Sequence, residues 1–246
     1  MNNTIEIIKN HRSIRQYLDK DIPNDIVDEI VKSAQAMPNS INGQQTTVIV
    51  VRDKAKREKL SELTGNQSYV AEAPVFLVFV MDFYRTYLAA KKNNVEQKIN
   101  EYTESIGVGS VDVGIALGAA TIAAESLGLG VVPIGGIRRN PEEVIELLEL
   151  PEYTFPLVGL VVGYPANNSN KKPRISFDSF RHLDKYDKKA VEASIDPYDD
   201  EMSEYLKGIG RYEKEKNWSS LTAGLYKDIY YPKVKNALKN QGFSDK

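Results

Sequence analysis

Cysteine is missing altogether from the 246 residues. With it go disulfides, thiolate metal sites and cysteine nucleophiles, and the composition suits a reducing compartment. Long apolar runs are missing too. The most apolar helical stretch, 113–124, is bracketed by Asp112 and Glu125, which leaves twelve uncharged residues where a bilayer needs about twenty. Residues 1–9 mix acids and bases with no apolar core of signal-peptide length. The expectation is a soluble, cytoplasmic protein without a membrane partner. Nor does charge of one sign dominate: 32 Lys and Arg against 34 Asp and Glu give a net charge of -2. Nucleic acid is therefore not expected as a partner, and any ligand argument rests on local charge.

A dinucleotide-binding fingerprint is also absent. Gly107, Gly109 and Gly114 have the wrong spacing and follow a polar stretch instead of a strand. Gly128 and Gly130 end a helix and lead into a strand, the reverse of the required order.

What is present is a core of ordinary size, enough for one large domain or two small ones. Helical spacing predicts helices over 3–9, 24–36 (behind Pro23), 54–63, 109–127 and 141–148, with a polar helix over 84–105. The β-branched run 46–51 and the apolar runs 74–81, 131–134 and 155–163 predict strands. The continuous apolarity of 74–81 predicts a strand buried on both faces, hence a sheet with helices on either side, parallel or antiparallel. In 109–127, Gly114, Ala116, Gly118, Ala119, Ala120, Ala123 and Ala124 make a helix free of bulk. Such a helix suits either an internal core or the centre of a dimer. Residues 175–246 are charged and aromatic with weak periodicity, as helices and extended arms wrapping a partner surface would be.

Five places carry chemistry. His11, Arg12, Ser13 and Arg15 crowd an imidazole, a hydroxyl and two guanidiniums into a small anion-binding set, which on an exposed loop would be plain solvated surface. Pro38–Gln45 is a polar loop holding Ser40, Asn42 and Gln44, either a turn or a set of hydrogen-bonding groups for a polar ring. Asn66, Gln67, Ser68 and Tyr69 form a second amide and aromatic loop. Ile134, Gly135 and Gly136 end a strand, where bare backbone N–H groups let a flat ligand approach, as they would in a simple tight turn. Lys171, Lys172, Pro173 and Arg174 form a second basic cluster stiffened by its proline.

In this order and spacing, these residues resemble the nitroreductase family, in particular the oxygen-insensitive nitroreductases and FMN reductases of the flavin reductase P type. The likeness covers residues 1–180 well and the remainder in outline. It implies an α+β nitroreductase-like fold: a central, mainly antiparallel sheet flanked by helices in an intertwined homodimer, with one FMN at each of two interface sites. Residues 1–180 would be the FMN-binding core, and 181–246 helices or an arm of the same domain packing on core and partner.

By similarity, His11, Ser13, Lys172 and Arg174 surround the FMN phosphate and ribityl chain, with Arg12 close by. Arg15 lies near the pyrimidine end of the ring. Ser40, Asn42, Gln67 and Tyr69 meet the ring and its polar edges. Ile134 leads into Gly135 and Gly136, whose N–H groups face flavin N5 and O4, so the catalytic placements are Arg15 and Gly136, and no metal is expected. The implied reaction passes hydride from NADH or NADPH through FMN to flavins, nitroaromatics or quinones by a ping-pong mechanism, and it needs no side-chain nucleophile. A flavin carrier supplying reduced flavin to a partner oxygenase is the alternative, and a phosphate-binding module without flavin is a third. NADPH-preferring members carry arginines shortly before a tryptophan. Here Arg211, Tyr212, Glu213, Lys214, Glu215, Lys216 and Asn217 precede Trp218, leaving the nicotinamide preference open.

Overall fold

The computed structural model describes residues 2–211 and 216–244. Two compact units divide the chain: Met1–Ser169 with Tyr231–Lys246, and Asn170–Tyr230.

The first unit is built on four strands, β1 (Thr46–Val51), β2 (Val75–Asp82), β3 (Gly130–Ile134) and β4 (Thr154–Gly163). They lie in the order β1-β2-β4-β3, and every pairing is antiparallel. β2 is buried at all eight positions, as its unbroken apolar run predicts. Because strand side chains alternate, its residues serve two cores. Leu77, Phe79 and Met81 face one side, with Val27 and Ile30 of α2 (Asn24–Gln35) and Val113, Ala116 and Ala120 of α6 (Glu104–Ser126). Phe76, Val78 and Val80 face the other, with Leu60 of α3 (Lys54–Leu63), Val70 of α4 (Ser68–Glu72) and Val144 of α7 (Pro141–Leu147). Each fully buried Val, Leu, Ile, Phe or Met among them contributes about 1.5–3 kcal/mol. The unit also holds α1 (Asn3–Lys9), α5 (Tyr84–Lys92) and, near the C-terminus, α12 (Val234–Asn240), whose Ala237 joins the first core together with Phe243.

Two sequence expectations need correction. The polar segment 84–105 is not one helix: α5 stops at Lys92, Asn94 takes a left-handed φ of 51°, and α6 begins at Glu104, ahead of residue 109. Ser68 and Tyr69 are not loop residues but open α4.

α6 is apolar on all sides and, by length and composition, long enough to cross a membrane. Its two faces differ. Gly109, Asp112, Val113, Ala116, Ala120 and Ala124 are buried, whereas Gly107, Val111, Gly114 and Gly118 are exposed. A Cβ added at Gly107, Gly114 or Gly118 would meet nothing within 4 Å. Gly128, at φ +78°, ends the helix in the left-handed conformation that suits glycine, and Leu129 N–H returns to the Ala124 carbonyl.

The second unit contains α8 (Phe177–Phe180), α9 (Lys188–Ala193), α10 (Ile195–Gly208) and α11 (Trp218–Tyr226). Asp199 of α10 joins α10 to α11 by accepting from the Ser219 N–H at 2.7 Å and its hydroxyl at 2.5 Å. The Trp218 ring meets Tyr198 edge-on at 5.4 Å.

Candidate active site

Residues 12–18 run along the ends of β3 and β4. Ser13 bridges Val131, and Ile14 N–H donates to the Val131 carbonyl at 2.9 Å. A Cβ on Gly130 would fall 2.6 Å from the Ile14 side chain, so the segment lies directly on bare backbone there. Tyr17 then bridges Pro165, and its hydroxyl donates to the Ile14 carbonyl at 2.7 Å, closing the turn that carries Arg15. Burial pushes the Tyr17 phenol far above the ordinary tyrosine range; the Arg15 charge opposes that shift and Tyr69 adds to it. His11 Nδ1 donates to Glu125 Oε1 of α6 at 2.6 Å. Arg12 Nε is buried with no hydrogen-bond partner. A buried donor left without an acceptor costs roughly 1–3 kcal/mol, which an anion or polar ligand would relieve.

The amide group of the site is equally ordered. Gln67 N–H donates to the Ser61 carbonyl at 3.2 Å, and the Ser61 hydroxyl donates to the Gln67 carbonyl at 2.8 Å. Gln67 Nε2 donates to the Thr64 carbonyl at 2.7 Å, and the Tyr69 hydroxyl donates to Gln67 Oε1. Against this relay packs the turn after β3. Ile134 is buried in the second core, and a Cβ on Gly136 would lie 2.4 Å from the Thr64 carbonyl oxygen and 2.7 Å from Gln67 Nε2. Only glycine fits there. Gly135 is less crowded, with Arg138 at 3.4 Å from such a Cβ. Arg138 itself is held by the Leu157 carbonyl and lies over the Tyr231 ring.

Ser40 and Asn42 are elsewhere. Ser40 N–H donates to both carboxylate oxygens of buried Asp112, at 3.1 and 3.2 Å, so this turn sits on α6. Gln44 Nε2 donates to Asn42 Oδ1. Ile41, between them, is 95% exposed at φ 49°, an unusual conformation for a β-branched residue. Since α6 covers one face of the sheet and α3, α4 and the turn after Ile134 cover the other, one protomer holds the ring-binding candidates in two groups on opposite sides of its sheet.

Lys172 and Arg174 belong to the second unit. Both are exposed. Arg174 Nη1 donates to the Lys172 and Pro173 carbonyls at 2.9 and 3.2 Å, and the Tyr198 hydroxyl donates to the Pro173 carbonyl at 3.1 Å. Of the stretch 211–218, residues 212–215 lie outside the described residues.

Sequence reasoning passed over Tyr17, Thr64, Asp112 and Glu125 as parts of this arrangement. Thr64 acts through its backbone carbonyl, which no side-chain pattern announces. Asp112 and Glu125, lone acids flanking an apolar helical stretch, carried a readable signal.

The donors fit a ligand with a flat polar ring and an anionic tail: an unsatisfied guanidinium, a glycine wall and a fixed amide edge stand on one chain. Residues 8–164 match the Nitroreductase family and residues 172–246 its C-terminal domain. The chain belongs to the nitroreductase family. It is 47% identical over 245 residues to an FMN reductase (NAD(P)H) of Bacillus subtilis, covering 99% of this chain and 98% of that one. Its fold is similar to that of Bacillus megaterium NfrA2, with a TM-score of 0.97 and 50% identity over the whole of both chains. It is also similar to an NADPH:FMN oxidoreductase from Vibrio harveyi solved with NAD+, at a TM-score of 0.89 and 34% identity over the whole of both.

Proposed function

We propose that this protein is a cytoplasmic, homodimeric, FMN-dependent NAD(P)H oxidoreductase, each of whose two sites joins one group of ring-binding residues from each protomer. The observation that carries the reading is the separation just described. Gln67, Tyr69 and Gly136 stand on one side of the sheet and Ser40 with Asn42 on the other, so a single flavin touching all of them needs a second chain. The open small-residue face of α6 supports that partner, since Gly107, Gly114 and Gly118 let a second backbone approach closely. Ala237 and Phe243, near the end of the chain, join the core, and residues 181–230 would pack on the partner. For the latter, Leu183, Tyr186, Tyr226 and Ile229, each at least 70% exposed, supply apolar surface.

When bound, FMN accepts hydride from NADH or NADPH and passes the electrons on to a flat acceptor such as a flavin, nitroaromatic or quinone. The chain supplies binding and electrostatics. Lys172, Arg174, Ser13 and Arg12 hold the phosphate and ribityl end, and His11 joins them through Nε2, its Nδ1 being committed to Glu125. The N–H groups of Gly135 and Gly136 would serve as donors to the reacting edge of the ring. Arg15 stands at the pyrimidine end, where its permanent charge favours the electron-rich form of the ring over the oxidised one. Arg15→Met should therefore lower the midpoint potential of bound FMN while leaving FMN bound; spectroelectrochemical titration showing an unchanged potential would remove Arg15 from this role.

The reading as a whole is tested by anaerobic stopped-flow reduction with NADH and NADPH separately. Rapid bleaching of the flavin absorbance by either supports it and gives the preference. A yellow protein that neither nucleotide bleaches would favour the flavin-carrier alternative, and a colourless one that refuses FMN would end both.

A further inference from the structure

Where β1 stops and β2 starts, a cavity of about 340 Å³ opens among the segment 18–21, α3 and the end of α4, near the lower limit of small-molecule sites. It shares no residue with the candidate active site. Its floor is cationic. Arg57 of α3 is only 9% exposed, and its Nη1 donates to the Arg52 carbonyl just past β1. Nε is buried with no hydrogen-bond partner, and among the described residues Nη2 has no acceptor and no carboxylate stands within ion-pairing distance. Nε and Nη2 share one edge of the guanidinium, the edge that donates in parallel to the two oxygens of a carboxylate. Burial lowers the Arg57 pKa, with Asp53 and Asp21 acting against that shift, so the charge is desolvated more than it is balanced. Arg52, by contrast, is committed, to Asp21 at 2.9 Å and to the Ile22 carbonyl at 2.5 Å.

The rim has the opposite sign. Asp19 and Glu72 are exposed and form no ion pair among the described residues, while Lys20 is drawn onto the Tyr164 ring, 4.0 Å from its centroid. A bare anion must pass the rim acids to reach Arg57, and a bare cation meets the buried guanidinium. A small zwitterion satisfies both layers. We propose that this cavity binds a small free amino acid, its carboxylate paired with the open edge of Arg57 and its ammonium group turned to Asp19 and Glu72. Nothing in this pairing requires the flavin.

The test follows the Arg57 Nε–H resonance by proton–nitrogen NMR of the full chain, assigned by its loss in Arg57→Lys, while glycine, acetate, methylammonium or inorganic phosphate is added at constant ionic strength. Glycine should give a saturable downfield shift. Acetate should need about three- to fivefold higher concentration for the same shift, the worth of an ammonium group beside exposed carboxylates, and methylammonium should give none. Glu72→Gln removes a rim charge and should narrow the difference between glycine and acetate. The resonance reports this cavity alone, so phosphate captured at the proposed flavin site does not register. Absence of a saturable shift with glycine would make Arg57 a purely structural tie and overturn the proposal, as would acetate or phosphate binding as tightly as glycine. Should Arg57→Lys not fold, the resonance is assigned through its bonded carbons, and the comparison of glycine with acetate in the unmodified protein and in Glu72→Gln decides.

Discussion

The two groups of ring-binding candidates differ in how they are held. Around Gln67, every polar atom that shapes the group is tied within a few residues or by the packed turn at Gly136, so the geometry exists in a single chain. Around Ser40, the turn is tied to α6 through Asp112, to α5 through Arg85, which donates to the Gln44 carbonyl, and to itself through Asn39, yet it thrusts Ile41 outward almost fully exposed in a left-handed conformation. One side is finished by its own protomer. The other leaves Ile41 uncovered beside the bare face of the same helix, α6, where the proposed partner would sit.

Gly118→Leu should break the comparison most severely. The protomer has room for the side chain, because a Cβ at this position meets nothing within 4 Å. Any loss must then arise between chains, and sedimentation with flavin quantitation should show dimer and FMN disappearing together. A dimer of unchanged strength with full FMN would mean that the open face of α6 is not the interface.

Lys172→Ala and Arg174→Ala should each weaken FMN by about tenfold to a hundredfold, the worth of a charge-assisted contact of roughly 1.5–3 kcal/mol. Riboflavin, lacking the phosphate, should be little affected. Equal losses for the two flavins in parallel titrations would make the cluster a prop for its loop instead.

A matched pair of glycines sharpens the self-contained side. Gly136→Ala drives a methyl into the Thr64 carbonyl and the Gln67 amide and should cost about 1–3 kcal/mol by urea denaturation, as overpacking does. Gly135→Ala, with its nearest neighbour at 3.4 Å, should stay within about 0.5 kcal/mol. Equal costs would mean that the turn does not pack on the relay as described.

The smallest effect is expected from Asp112→Asn, which keeps shape but removes the charge that receives Ser40 N–H. Stability should fall by about 1 kcal/mol, with FMN affinity reduced only a few fold and the flavin potential unmoved. A shift in potential would tie Asp112 to the ring more directly than its contacts allow.

Much of the architecture was legible because local chemistry forces it. The valine-rich apolar run 74–81 reads as an interior strand, which β2 is, and Pro23 before a periodic segment reads as opening a helix, which α2 is. The direction of strand pairing was not legible, since it follows from which residues meet far apart in the chain, as Val51 does with Phe76 and Val75 with Val162. The break after Lys92 was missed although Asn93 and Asn94 mark it, because the polar composition continues unchanged beyond them. Within the site, side chains with unusual chemistry at a single place, such as His11 to Arg15, were visible. Their supports could be seen as lone acids flanking an apolar stretch, but not which residues they support: Glu125 lies 114 residues from His11, and Asp112 lies 72 from Ser40. How the Lys172 to Arg174 cluster takes part is a proposal that the titrations above decide.

The 2.6 Å contact between His11 and Glu125 has a thermodynamic corollary. It fastens the loop proposed for phosphate to the helix proposed for the partner, so whatever free energy the tail of the cofactor contributes by ordering that loop is shared with assembly. Such sharing is reciprocal: by the factor that cofactor tightens the dimer, dimerisation tightens the cofactor. Glu125→Gln, which weakens the fastening and leaves both surfaces in place, should shrink that common factor, so that FMN affinity loses part of its dependence on protein concentration.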